Sequence, residues 1–367
     1  MSSICLYSPY IPKHRGGGEM YLLQVAHALQ DTNKVYIAVS NLDKETETQK
    51  IISDYEQFFG LSLDKVKIIS TPLGTSAHWL KKLMWTKQWD VLYYVTDGSI
   101  FPTLARTNIL HIQVPLLLDK SSLIEKCKLS MWQVINTNSE FTKKIVSKAW
   151  PVHVDYVHSP YVSLPKEITQ TDVDKKEKII VHIGRFFRQL HSKRQDMLVD
   201  TFKQMIQKYP KELKGWKLVL IGGIEDQAYA DEVHTQAAKL PVEFYHQTSR
   251  KEILELLQKA SIYWHATGYE VDQNKHPEKV EHFGISTIEA MAAGCVPVVI
   301  HAGGQPEILG KELQGNLWRT QKECIQETLS FIEDSKQRRK TALIAQQRAK
   351  TFSEETFNKV VQLMIHQ

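Results

Sequence analysis

The chain has few cysteines and no long hydrophobic run. Only four of its 367 residues are cysteines, and no two have the spacing of zinc ligands. Such sparse cysteines are typical of reduced thiols in a cytosol. No apolar run approaches the ~18–20 residues of a membrane-spanning helix. The N-terminal MSSICLYSPYIP lacks a basic segment and predicts a first strand rather than a signal peptide. The sequence therefore favours a cytoplasmic protein, with any membrane contact peripheral, on the inner face.

An excess of charge of one sign is also missing. Hydrophobic residues make up 42% and charged residues 24% of the sequence, a balance typical of a globular protein that does not favour disorder. The net charge is +5 and the pI is near 8.7. This suits an anionic ligand or membrane surface, but there is no basic stripe with interleaved aromatics to indicate nucleic-acid binding.

The length suits two hydrophobic cores, because single cores stop growing at about 250–300 residues. Short apolar runs alternate with amphipathic ones, the pattern of parallel βα units, and a polar segment interrupts this alternation. We predict an α/β protein with two Rossmann-like, doubly wound parallel-sheet domains over residues 1–162 and 179–350. A linker over residues 163–178 joins them, and a last helix over residues 351–367 crosses back. Ligands bind at the carboxyl ends of such strands, so we expect a site in a cleft between the domains.

The alternation also predicts individual elements. In the first half, strands are expected over residues 4–7, 35–39, 66–69, 91–95, 109–113 and 134–136, and helices over 19–30, 76–88 and 139–149. In the second half, strands are expected over 179–183, 217–221, 242–245, 262–265 and 296–300. The helices expected there cover 196–208, 226–238, 251–260 and 286–293, with a last one from residue 353.

Three glycines, Gly16, Gly17 and Gly18, precede the first predicted helix. Glycine lets backbone N–H groups turn toward an anion at a helix N-terminus. The dinucleotide fingerprint does not fit, because about ten residues separate strand from helix. A phosphate-binding loop and a flexible surface loop both remain open.

Two cations follow the first strand of the second half. Arg185 stands just after the strand, and Lys193 stands just before the next helix. Cations at a strand end and a helix start converge where a diphosphate binds. The alternative is a solvated basic loop.

The segment EHFGISTIE joins two carboxylates, Glu281 and Glu289, through a turn that leads into a short helix. Gly294 follows this helix as a C-terminal cap. Carboxylates only accept hydrogen bonds, which suits sugar or ribose hydroxyls, and the amides between them can hold phosphate. The alternative is a capping carboxylate on a surface helix.

Together these segments resemble the family-4 retaining glycosyltransferases of the GT-B fold, over nearly the whole chain. The resemblance implies that residues 1–162 form the acceptor-binding domain and residues 179–350 the nucleotide-sugar-binding domain. GRFF and HSK, at Gly184–Lys193, are similar to the branch with mannosyltransferases of lipid-linked oligosaccharide assembly. The chain also resembles bacterial exopolysaccharide and cyanobacterial envelope-polysaccharide enzymes.

The resemblance implies a role for each candidate residue. Arg185 and Lys193 would bind the donor diphosphate, Glu281 the sugar hydroxyls and Glu289 the ribose. Further donor contacts are implied for backbone groups of the glycine loop, a base-reading loop and the turn before the short helix: Gly16, Gly17, Gly18, Gln247, Thr248, Phe283, Gly284, Ile285 and Ser286. His111 would point at the transferring sugar.

The resemblance further implies a retaining, metal-independent hexosyltransferase of surface polysaccharide synthesis that needs no cofactor. We expect a UDP-sugar donor, with UDP-glucose preferred and GDP-mannose as the alternative, and a glycan or lipid-linked acceptor. The spacing from Arg185 to Lys193 is longer than the commoner family spacing. The insertion YEVDQNKHPEKV before Glu281 flanks the sugar pocket and leaves the donor open.

Other classes fit less well. A glycoside hydrolase also uses paired carboxylates but has no use for the Arg185 and Lys193 pair. A phosphorylase would need pyridoxal phosphate on a lysine, and no lysine stands out. A non-catalytic nucleic-acid-binding protein is the third alternative. Asp172 and Asp174 match a metal-binding pattern, but they fall in the predicted linker.

Ala77–Trp89, AHWLKKLMWTKQW, mixes tryptophans and aliphatic residues with lysines. This composition suits docking at an anionic lipid surface. A core-facing helix with its lysines in water is the alternative, and both remain open.

Overall fold

The computed structural model describes residues 1–12, 16–40, 42, 45–162, 170–189 and 191–367. The chain divides into two compact units. The first contains Met1–Tyr161 and Glu354–Gln367, and the second contains Val162–Ser353.

In the described part of the first unit, seven strands form one parallel sheet in the order β3-β2-β1-β4-β5-β6-β7. Strands such as VLYYVT are buried along their whole length, because helices cover both faces of a parallel sheet. The strands are β1 Ser3–Tyr7, β2 Lys34–Ser40, β3 Lys67–Thr71, β4 Val91–Thr96, β5 Thr107–Ile112, β6 Val134–Thr137 and β7 Tyr156–Val157. The helices are α1 Gly17–Leu29, α2 Glu45–Phe59, α3 Trp79–Thr86, α4 Leu123–Leu129 and α5 Glu140–Ala149.

Gly17 and Gly18 lie in helix α1 rather than before it, and Gly16 is the residue that caps the helix. The helix begins at Gly17, two residues before the predicted start, and residues 13–15 of the loop lie outside the described part. The N–H of Gly16 donates to a carboxylate oxygen of Glu19 over 2.7 Å. This acidic side chain in the first turn stabilises the positive end of the helix and explains the earlier start.

Helix α3 is shorter than the predicted 76–88. The side chain of His78 accepts a hydrogen bond from the N–H of Leu80 and caps the helix. Just before it, the hydroxyl of Thr75 accepts from the N–H of Ala77 and holds the chain in a turn. These two polar contacts compete with helix formation before Trp79.

The described residues of the second unit contain six strands in the order β10-β9-β8-β11-β12-β13, all parallel. They are β8 Glu177–Ile183, β9 Lys217–Ile221, β10 Val242–Tyr245, β11 Ala260–His265, β12 Val296–Ile300 and β13 Leu317–Trp318. The helices are α6 Gln170–Asp174, α7 Gln195–Lys208, α8 Gln227–Gln236, α9 Arg250–Lys259, α10 Ile285–Ala292, α11 Gln305–Leu309, α12 Gln321–Glu333 and α13 Ser335–Ala349.

The predicted linker 163–178 contains regular structure. Residues 163–169 lie outside the described part, but α6 and the start of β8 fall in the remainder. Glu177 already pairs with Ala260 of β11, which extends β8 beyond the predicted start. Helix α6 buries Val173, and Asp174 lies 3.2 Å from Arg339 of α13.

Helices α12 and α13 have no counterpart in the sequence-based prediction. Helix α13 faces the core with alanines, namely Ala342, Ala345 and Ala349. Such small residues produce only a weak apolar period, so the hydrophobic pattern does not reveal the helix.

The last helix, α14 Glu354–Ile365, belongs to the first unit. Its apolar side packs into the core next to α1 through Phe357, Val361 and Met364. Within the described residues, no helix is both long enough and apolar enough to cross a bilayer.

Candidate functional site

The strongest cluster of charged groups lies in the second unit, at the carboxyl ends of the neighbouring strands β8 and β11. Lys193 Nζ is 2.5 Å from Glu281 Oε2, and His265 Nε2 is 3.0 Å from the same oxygen. The side chains of Lys193 and Glu281 are 18% and 17% exposed, while His265 is fully buried. Ligands of parallel α/β sheets bind at this edge.

The charge state of the cluster follows from its contacts. Burial alone would raise the pKa of Glu281, but Lys193 and His265 outweigh it and hold the pKa well below its usual range. Burial lowers the pKa of His265 despite the adjacent carboxylate. At neutral pH, Glu281 is therefore ionised and a neutral His265 donates its Nε2–H to it.

Two glycines allow this packing. A Cβ atom at Gly184 would lie 2.4 Å from Cγ of Lys193, so only glycine lets the lysine stem cross the end of β8. Gly303 has a φ of +57°, and a Cβ atom there would lie 2.0 Å from the carbonyl oxygen of Glu281. Gly303 and His265 were not among the predicted site residues, because their contacts join segments distant in sequence.

Arg185 has a different carboxylate partner. Its guanidinium donates to both oxygens of Glu225, over 2.9 and 3.0 Å. The two side chains are 56% and 44% exposed. Arg185 and Lys193 therefore have separate carboxylate partners, Glu225 and Glu281. Their convergence on one diphosphate stays a prediction. Glu225, in the loop after β9, was not among the predicted site residues.

Glu289 projects from α10 and is nearly buried, with its side chain 7% exposed. Its Oε1 lies 2.5 Å from a guanidinium nitrogen of Arg250. Arg250 is the first residue of α9, directly after the predicted base-reading residues Gln247 and Thr248 and the capping residue Ser249. The structure thus links Glu289 to this loop through Arg250, which was not among the predicted site residues.

The turn Phe283–Ser286 leads into α10 as predicted, and helix α10 begins at Ile285. The side chains of the turn serve packing: Phe283 is buried against Phe352, and the Ser286 hydroxyl is 2.8 Å from that of Tyr263. The first N–H groups of a helix have no partner inside it, and they carry its positive end. The backbone rather than the side chains of this turn is therefore suited to an anion.

In the first unit, the predicted residues His111 and Gly18 lie near one another. His111 on β5 is fully buried and stacks on Tyr21 of α1, with ring centroids 3.7 Å apart. A Cβ atom at Gly18 would lie 3.1 Å from the side-chain oxygen of Gln113, at the end of β5. The start of α1 and the end of β5 therefore lie next to each other, with polar side chains between them.

Across the described ranges, no group of three or more histidine, cysteine, aspartate or glutamate residues could hold a metal ion.

The family described as "Glycosyl transferases group 1" matches residues 165–348, half of the chain. The curated protein "GDP-Man:Man(3)GlcNAc(2)-PP-Dol alpha-1,2-mannosyltransferase" of Dictyostelium discoideum is 31% identical over 199 residues. The protein of that name from Neurospora crassa is 26% identical over 212 residues. Each match covers 50% of this chain but only 36% and 35% of the respective relative. The matches thus span well under half the length of these relatives.

Solved structures match over the entire chain. Anabaena Alr3699/HepE, crystallised with UDP and glucose, has a TM-score of 0.71 at 17% identity, with 100% of both chains covered. A glycosyltransferase from Rickettsia africae has a TM-score of 0.73 at 14% identity and covers 99% of this chain and 97% of its own. These matches show the fold: the predicted α/β architecture of two Rossmann-like parallel-sheet units, the GT-B fold, is confirmed.

Proposed function

Because the chain belongs to the glycosyl transferases group 1 and is therefore a glycosyltransferase, we propose that its second unit binds a nucleoside-diphosphate hexose without a metal ion. The observation that carries this proposal is the cluster of Lys193, Glu281 and His265 at the carboxyl edge of the sheet. It offers a cation for a diphosphate beside a fixed carboxylate for sugar hydroxyls.

The cations of this unit suit a diphosphate that gains charge as it leaves the sugar. The ammonium of Lys193 has three donors, of which Glu281 uses one, so that two remain for phosphate oxygens. Arg185 is held by an exposed ion pair, worth about 0–1 kcal/mol, and by a ring contact with Phe187. Its guanidinium can therefore exchange Glu225 for a phosphate. With the N-terminus of α10, these groups oppose the growing negative charge.

The two carboxylates divide the remaining donor contacts. Lys193 and His265 both contact Oε2 of Glu281, which leaves Oε1 to accept from a sugar hydroxyl. Arg250 contacts Oε1 of Glu289, so Oε2 can accept from the ribose. The backbone of Gln247 and Thr248 then reads the base, as the family resemblance implies.

The reaction proceeds with retention of configuration. The acceptor hydroxyl attacks from the face on which the diphosphate leaves, and a phosphate oxygen takes its proton. The family resemblance implies that His111 orients the sugar and that Gly17 and Gly18 contact the donor phosphate. In this reaction the protein positions the two substrates and neutralises the charge that develops on the diphosphate.

For the donor, the sequence preference for a UDP-sugar gives way to GDP-mannose as the first candidate. The relatives named for GDP-Man are 31% and 26% identical to this chain, whereas the HepE structure with UDP and glucose is 17% identical. UDP-glucose is the second candidate, since that structure matches the full chain. The same relatives favour a lipid-linked glycan as the acceptor.

Peripheral contact with a lipid surface fits such an acceptor. On α3, Trp79, Leu80 and Met84 are 58%, 48% and 57% exposed. Trp85 of the same helix packs on the core. The helix therefore has a core-facing side and, beside its lysines, an outward apolar side suited to anionic lipid.

A thermal-shift screen tests the donor site. GDP, GDP-mannose, UDP and UDP-glucose are added with EDTA or with magnesium, and a ligand at 100 times its Kd stabilises the native state by about 2.7 kcal/mol. We expect a guanine nucleotide to raise the Tm equally under both conditions, and Arg185→Ala combined with Lys193→Ala to abolish the shift. A shift that needs magnesium, or one that the double variant retains, contradicts the proposal.

A further inference from the structure

A buried chain of polar side chains in the first unit ends at His111. It runs between α14, α1 and strands β4, β5 and β6, and each member contacts the next. Its members are His158, Tyr21, Tyr93, Asn136 and His111, all buried. Since each hydroxyl has a single proton to donate, the direction of every bond in the chain can be worked out from its far end.

The far end is the backbone carbonyl of Phe357 in α14, which only accepts hydrogen bonds. His158 Nε2 lies 3.1 Å from it and must therefore donate. Burial lowers the pKa of His158 to about 4, so the ring is neutral and its Nδ1 has a lone pair. The hydroxyl of Tyr21, 2.6 Å from Nδ1, donates to it.

The next two bonds follow from this one. Tyr21 gives its only proton to His158, 2.6 Å away, rather than to Oδ1 of Asn136, which is 3.2 Å away. In the 2.5 Å contact of Tyr21 with Tyr93, the hydroxyl of Tyr93 therefore donates. Tyr93 has then spent its own proton. In the contact between Tyr93 and Asn136, the amide nitrogen Nδ2 of Asn136 therefore donates, over 3.2 Å.

This orientation of the amide turns Oδ1 of Asn136 toward His111, whose Nδ1 contacts it. An oxygen acceptor requires Nδ1–H as the donor, so a neutral His111 has its lone pair on Nε2. Nε2 is buried and has no hydrogen-bond partner among the described residues. A buried polar atom without a partner is costly unless a ligand satisfies it. The start of α1 lies beside it, since Tyr21 stacks on the ring.

We propose that this relay, through Tyr93 and Asn136 as positioning residues, fixes His111 as a hydrogen-bond acceptor for a hydroxyl of the substrate. The inference rests on the proposed function, in which His111 contacts the sugar. His111 then orients the sugar and carries no proton in the reaction. Burial, the main cause, lowers its pKa to about 3, and the titratable groups around it, Tyr21, Tyr93 and His158, are neutral near pH 7.

Nitrogen-15 NMR of the histidine side chains tests the relay directly and needs no substrate. The His111 signals are assigned by their loss in His111→Gln. We expect a neutral ring with the proton on Nδ1 and no titration between pH 6 and pH 8 (roughly the range around an ordinary histidine pKa). A proton on Nε2, or a charged ring at neutral pH, overturns the proposal. If the proton is on Nδ1 of His111 but the protein binds no nucleotide sugar, that result contradicts the proposed function and leaves the relay standing.

Tyr93→Phe with Tyr94→Phe as its matched control supplies the second test. Both remove a buried hydroxyl from β4, but that of Tyr94 contacts Ser99 outside the relay. We expect Tyr93→Phe to produce a mixture of His111 tautomers and to lower kcat about tenfold, the loss of one hydrogen bond. Tyr94→Phe should preserve the single His111 tautomer and the wild-type kcat. If Tyr93→Phe and Tyr94→Phe lower kcat equally and the His111 tautomer is unchanged in both, the positioning role of Tyr93 is overturned.

Discussion

At the residue scale, a single carboxylate oxygen organises the candidate donor site. Oε2 of Glu281 receives both Lys193 and His265. A carboxylate held by two donors cannot rotate freely, so Glu281 would offer a preorganised acceptor to the sugar of the proposed donor. When the diphosphate attracts Lys193, His265 remains to hold Glu281 in place.

Replacement of His265 by phenylalanine should therefore lower kcat more than it raises KM for the donor. The change leaves a buried carboxylate without one of its two donors, and about 1–3 kcal/mol is expected for such a loss. His265→Gln, which can place an amide N–H near the same oxygen, should recover much of the rate. Steady-state kinetics of His265→Phe and His265→Gln check this. Equal kcat values for the two variants would contradict the role of His265 as a donor to Glu281.

Buried histidines make the stability depend on pH. Burial lowers the pKa of His111, His158, His182 and His282 to about 3 or 4. Their folded pKa lies below the unfolded value of ~6.5, so the unfolded state binds more protons as the pH falls through that value. The free energy of unfolding should then drop by up to ~1.4 kcal/mol per histidine and pH unit.

Urea unfolding at several pH values between 7.5 and 5.5 (spanning the ~6.5 of an ordinary histidine) measures this slope. His182→Gln should reduce it, whereas replacement of the exposed His153 by glutamine should not. A free energy of unfolding that stays constant over this range would contradict the burial of neutral histidines.

Sequence alone predicts part of the site. Lys193, Glu281 and Glu289 stand at recognisable positions relative to strands and helix starts, and the structure gives each a charged partner. The partners themselves, His265, Glu225 and Arg250, could not be predicted, because each contact joins separate βα units. The pairing of Arg185 with Glu225 shows the limit: proximity to a strand end does not determine which way a long side chain points.

At the element scale, the hydrophobic period predicts buried strands well and small-residue helices poorly. Strands β9, β10 and β12 have the predicted bounds, because their apolar runs are continuous. Helix α13 escapes prediction because alanines line its core side. Helices α1 and α3 start elsewhere than predicted because polar side chains, those of Glu19 and His78, decide the first turn.

Helix α3 should mediate binding to anionic lipid. Trp79→Ser combined with Met84→Ser removes two exposed apolar side chains and should abolish flotation with phosphatidylglycerol-containing vesicles at low salt. Leu363→Ser is the control, because Leu363 is 59% exposed on α14 of the same unit. Wild-type protein that stays with the unbound fraction, or a control that loses flotation equally, would contradict the lipid surface on α3.

At the scale of the whole molecule, each unit contributes its own chemistry. The second unit pairs every candidate charge internally, through Arg185 with Glu225, Lys193 with Glu281 and Arg250 with Glu289. The first unit supplies a neutral histidine whose acceptor nitrogen has no described partner. On the proposed function, a donor diphosphate would replace Glu225 at Arg185 and would bind to Lys193 beside Glu281, so that both cations would keep an anionic partner.

The reaction without divalent metal tests this account most directly. The rate of GDP release from GDP-mannose, or of UDP release from UDP-glucose, is measured for the purified protein with a lipid-linked glycan acceptor, in EDTA and in magnesium or manganese. We predict the same rate in EDTA as with metal, and a loss of at least ~100-fold in Lys193→Met, since one removed charge stabiliser typically costs this much. Protein that is inactive until magnesium or manganese is added would contradict the central claim.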